Sequence, residues 1–75
     1  MVRLVPIKAK KLIRLLEELG FEMVRKKGSH RFFIHPETKR TVTIPDHGSE
    51  DIPVGLLRSI LRDIDMDVDT FDKLR

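Results

Sequence analysis

The sequence predicts a two-layer α+β domain in the order α-β-β-β-α, with a three-stranded antiparallel sheet. Three observations predict it. Apolar residues recur at helical spacing near each end of the chain. Between them lie three short β-favouring runs separated by turn-forming residues. At 75 residues and 40% hydrophobic content, the chain supports one core, so residues 1–75 read as a single domain.

The first helix follows Pro6, whose fixed φ suits a helix start. Ile7, Leu12, Leu15, Leu16 and Leu19 then form an apolar stripe that Gly20 ends. Its polar side carries Lys8, Lys10, Lys11, Arg14, Glu17 and Glu18, with the cations toward the N-terminus, where the helix dipole disfavours them.

The predicted strands are 21–26, 30–35 and 40–45, joined by Lys27-Gly28-Ser29 and Pro36-Glu37-Thr38-Lys39. Thr41 and Thr43 alternate with Val42 and Ile44, giving one polar and one buried face, and the helices cover the buried one. The run Phe32-Phe33-Ile34 is apolar throughout, so periodicity leaves open which face His30 takes.

After a loop of residues 47–51, Val54, Leu57, Ile60, Leu61 and Ile64 form the stripe of a second helix, with Pro53 in its first turn. Asp65, Asp67 and Asp69 offer caps for a last short helix, from which Phe71 and Leu74 dock on the core. The topology is that of a double-stranded-RNA-binding domain, which does not by itself fix a function.

Composition narrows the chemistry. No cysteine is present, which removes disulfides, thiolate nucleophiles and thiolate zinc sites. No apolar stretch approaches a signal peptide or a membrane span, so a soluble, cytoplasmic chain without membrane contact is expected. Charged residues make up 36% of the chain and neither Asn nor Gln occurs, a pattern of thermostable proteins. Residues 1–47 carry 11 Lys and Arg against 5 Asp and Glu, whereas residues 48–75 carry 4 against 7. The basic first part suits a phosphate backbone and the acidic tail does not.

The densest polar segment is Arg25-Lys26-Lys27-Gly28-Ser29-His30, followed by Arg31. Gly28 permits close backbone approach, Ser29 and the turn N–H groups can donate to anionic oxygens, and the cations neutralise charge. Lys26, Lys27 and Arg31 are the phosphate-binding candidates by proximity, with Arg25 beside them. His30 is the one group there with proton-transfer chemistry near neutral pH, although an exposed loop histidine often has no such role. RNA supplies its own nucleophile in the 2′-hydroxyl, so an acid or base with nearby cations suffices to cleave it. His35, His47 and Asp46 resemble a metal-ligand inventory, but their spacing does not support one. His30 and His35 lie five apart on a strand and face opposite ways, and no helical i, i+4 pair exists. No cofactor or metal is expected.

The stretches Leu16-Glu17-Glu18-Leu19-Gly20-Phe21, Lys27-Gly28-Ser29-His30 with His35-Pro36, Thr41-Val42-Thr43-Ile44-Pro45-Asp46-His47 and Gly55-Leu56-Leu57-Arg58-Ser59-Ile60-Leu61 together resemble the HicA-type mRNA interferase toxins of toxin–antitoxin pairs. The resemblance covers nearly the whole chain. It implies a metal-independent endoribonuclease acting on mRNA, His30 as the catalytic residue of the Gly-Ser-His motif, and a HicB-like antitoxin that covers the site. Two departures stand out: Leu56 replaces a threonine common in the family, and Asp63-Ile64-Asp65-Met66 replaces a more basic, glycine-containing helix exit. The rival expectation is a non-catalytic RNA-binding module that grips a duplex with its hairpin and first helix. Glu50 and Asp51, expected at the start of the second helix, speak against it.

Overall fold

The computed structural model describes residues 3–75; Met1 and Val2, part of the N-terminus read above for a signal sequence, lie outside the described residues. Eight elements follow in order: β1 (Ile7–Lys8), α1 (Ala9–Glu18), β2 (Glu22–Lys27), β3 (His30–Ile34), β4 (Thr41–Pro45), β5 (Asp51–Ile52), α2 (Val54–Asp63) and α3 (Val68–Leu74). The main sheet is antiparallel, in the order β2-β3-β4. This is the expected α+β architecture, and each predicted strand lies within one residue of its expected limits.

Register decides which side chains meet the helices. Phe33 pairs with Val42 and Arg31 with Ile44, so these four share one face. Phe33, Val42 and Ile44 are buried there against Leu12 and Leu16 of α1, Leu57, Ile60 and Leu61 of α2, and Phe71 of α3. Full burial of residues such as Leu16, Ile44 and Leu57 contributes about 1.5–3 kcal/mol each, and no disulfide supplements it. The opposite face stays open, with Thr41 and Thr43 exposed and Phe32 half-buried.

The ends of both long helices follow local rules. At the end of α1, Gly20 takes φ 100°, while Phe21 N–H donates to Leu16 O at 2.9 Å and Gly20 N–H to Glu17 O at 3.1 Å. That pattern satisfies two terminal carbonyls and requires a left-handed residue, which glycine adopts without steric cost. At the end of α2, Asp65 takes the same role with φ 58°.

Three expectations require correction. Leu74 does not dock on the core with Phe71 but is 44% exposed at the end of α3. Pro6 and Ile7 do not begin α1: Lys8 is its extended N-cap, and Ile7–Lys8 instead pairs with Asp51–Ile52, inside and beside the expected 47–51 loop. Proline's φ fits extended chain as well as helix. Burying Ile7 and Ile52 against each other, with Lys8 Nζ 3.0 Å from Asp51 Oδ1, selects the strand. Pro53 is likewise the extended N-cap of α2, not a residue of its first turn, and Leu57 N–H donates to its carbonyl at 2.9 Å. The residue before a proline favours extended chain, which places Ile52 in β5.

Candidate active site at the ends of the central strands

The hairpin between β2 and β3 has only Gly28 and Ser29 as its turn, because Lys27 pairs directly with His30. Gly28 takes φ 58° and Ser29 does not take a positive φ, as a type II′ hairpin turn needs. The tight turn fixes where His30 begins β3. Pairing of His30 with Pro45 then resolves the face that the sequence left open: His30 alternates with Arg31 and Phe33, so it projects from the open side together with Phe32.

His30 lines a cleft of about 450 Å³ that lies against β4 and the approach to α2. Thr43 and Pro45 form its sheet wall, and His47, Glu50, Pro53 and Leu56 are among the residues that close the other side. Leu56, the residue that departs from the family's threonine, therefore sits in the cleft. The His30 ring lies 6.4 Å from that of Phe32, over which the Arg25 guanidinium is placed at 5.8 Å. An aromatic face between an imidazole and a guanidinium can stack a nucleobase.

The structure divides the cations that sequence proximity grouped. A bulge between Met23 and Arg25 shifts the register of β2, so Arg25 pairs with Phe32, Lys26 with Arg31 and Lys27 with His30. Arg25 and Lys27 thus share the His30 face, whereas Lys26 and Arg31 belong to the other. Arg31, a phosphate-binding candidate by proximity, makes its contacts within the fold. Its Nη1 donates to Gly28 O at 2.8 Å, its Nη2 lies 3.7 Å from Asp46 Oδ2, and both side chains are only about 15% exposed. This guanidinium ties the hairpin turn to the chain leaving β4.

His35 is built into the fold. Its Nδ1 accepts the Glu37 and Thr38 N–H groups at 3.2 and 3.3 Å, which places the ring proton on Nε2, 3.2 Å from Leu19 O. Its ring meets Phe21 edge-on at 5.1 Å. Among the described residues, no three His, Asp or Glu side chains gather as a metal ion requires. A separate basic groove of about 500 Å³ runs along α1, lined by Lys8, Lys10, Lys11 and Arg14 with Gly48 and Ser49. Lys8 is occupied by Ser49 O and Asp51, while Lys10, Lys11 and Arg14 pair with no carboxylate among the described residues.

A two-layer α+β fold with an imidazole in a shallow cleft, flanked by cations, defines a small protein equipped for an anionic partner. The family model described as "HicA toxin of bacterial toxin-antitoxin" matches residues 9–66, from the start of α1 past the end of α2, and the chain belongs to that family. It is thus a toxin of a toxin–antitoxin system, with a cognate antitoxin as partner. No match was found among curated proteins. No helix of the described residues is long and apolar enough to cross a membrane.

Proposed function

We propose that this toxin is an endoribonuclease of the cytoplasm that cleaves mRNA at the His30 cleft without a metal cofactor. The observation that carries the reading is the projection of His30 from the open sheet face into the cleft, beside Phe32, Arg25 and Lys27. The substrate's 2′-hydroxyl is the nucleophile, and His30 moves a proton at one of the two oxygens that exchange on phosphorus. Arg25 and Lys27 offset the charge that builds on the phosphoryl oxygens. Gly28 and Ser29 offer turn N–H and hydroxyl donors at the same end of the sheet, and Lys26 adds charge at the hairpin edge.

The basic groove along α1 favours a second reading, a module that binds RNA without cutting it. One experiment separates the two. Purified protein incubated with RNA should produce fragments on a gel, equally well in a chelator. His30→Ala should stop cleavage while leaving helical circular dichroism intact, since an exposed substitution costs under about 0.5 kcal/mol. Binding without fragments would establish the non-catalytic module. Loss of cleavage in chelator with recovery on added divalent ion would overturn the metal-free mechanism.

A further inference from the structure

The ribonuclease reading leaves one proton transfer without a partner. When the 2′-oxygen attacks, a proton leaves O2′, and another must reach the departing O5′ on the far side of phosphorus. A single imidazole cannot attend both sides in one displacement. The cleft contains a second imidazole, that of His47.

The sheet brings the two together. His30 pairs with Pro45, and the ladder continues one step further, with Asp46 N–H donating to Ser29 O at 2.6 Å. Alternation along β4 puts Thr43 and Pro45 on the side where His30 projects, and His47, two residues past the end of the strand, lines the same cleft with them. The intervening residues face the other way and lock the arrangement. Arg31 joins Asp46 and Gly28 O, and Asp46 Oδ1 accepts the Gly48 N–H at 3.3 Å. Each histidine is therefore the chain neighbour of a residue in this clamp.

The other ionisable groups on the cleft wall do not fit the role. Asp51 is paired with Lys8, and a carboxylate at Glu50 sets negative charge against the phosphate of the substrate.

We propose that His47 is the second acid–base residue of this site, an assignment that rests on the ribonuclease reading above. One imidazole accepts the O2′ proton as the O2′–P bond forms. The other, protonated, delivers its proton to O5′ as the P–O5′ bond breaks. The products are a 2′,3′-cyclic phosphate and a 5′-hydroxyl, and the two imidazoles return to their starting states by exchange with water.

The test uses a short RNA that the wild-type chain cleaves, and the same RNA with sulfur in place of O5′ at the cleaved linkage, since a thiolate leaves without protonation. On ordinary RNA, His30→Ala and His47→Ala should each slow cleavage by about 10²- to 10⁴-fold. On the sulfur-substituted RNA, one of the two variants should recover to within about tenfold of wild type, identifying the acid, while the other stays slow. A His47→Ala protein that cleaves ordinary RNA at the wild-type rate would overturn the assignment. So would failure of both variants to recover. A wild-type chain that cleaves no RNA at all defeats the ribonuclease reading itself, and the assignment falls with it.

Discussion

Gly20 and His35 meet where the first helix gives way to the sheet. A Cβ built on Gly20 would stand 2.9 Å from His35 Nε2, and the φ of 100° already excludes most side chains. Gly20→Ala should therefore strain the backbone and break the His35 bond to Leu19 O, costing roughly 1–3 kcal/mol. In a domain of this size that lowers Tm by roughly 5–20 °C, which a thermal melt reads directly. An unchanged Tm would mean that His35 can move aside at no cost. Leu56 also gains meaning at this scale. Read in the sequence as a departure from the resembled family, it lines the same cleft as His30 and presents an apolar side chain there.

Among the elements, α3 shows how a short helix of seven residues is held. Its stripe contributes one fully buried anchor, Phe71, and its N-cap Asp67 accepts the Thr70 N–H at 2.7 Å. The Thr70 backbone bond first, then its hydroxyl, with a smaller share from the Lys73 charge, hold the Asp67 carboxyl below the usual aspartate range. A carboxyl whose folded pKa is depressed contributes stability above its unfolded value and loses it as pH falls through the folded one. Asp67→Ala should thus lower Tm at neutral pH, with the gap to wild type closing in strong acid. A gap of constant size down to acid pH would show that the carboxylate charge plays no part in the cap.

For the molecule as a whole, the cleft stands open with cations beside it, and the family implies a cognate antitoxin as partner. An antitoxin suited to this surface should bring acidic groups to Arg25, Lys26 and Lys27 and an apolar anchor beside Phe32. Its association should be fast and salt-sensitive. Hydrogen exchange on the toxin–antitoxin complex should show protection across residues 25–35. Tight neutralisation with that segment fully exchanging would establish inhibition from a distance instead.

The order of helices and strands was legible from local patterns: the 3.6-residue stripe of Leu12, Leu15 and Leu16, the alternation of Thr41 to Ile44, and Gly20 and Asp67 at helix ends. Such signals arise between residues a few positions apart, so a linear reading captures them. The hairpin segment holding His30 stood out for the same reason. Tertiary structure decided what depends on partners far along the chain. Ile7 became a strand only because Ile52 meets it, and His30 took the open face only because Phe33 pairs with Val42 beneath the helices. Arg31, one position from His30, was turned by the pleat to the other face and bound to Asp46, while His47, seventeen positions away, was carried into the cleft. Neighbours in sequence on a strand point apart and opposed residues on paired strands point together, so the membership of the site was set by register, which no local periodicity encodes.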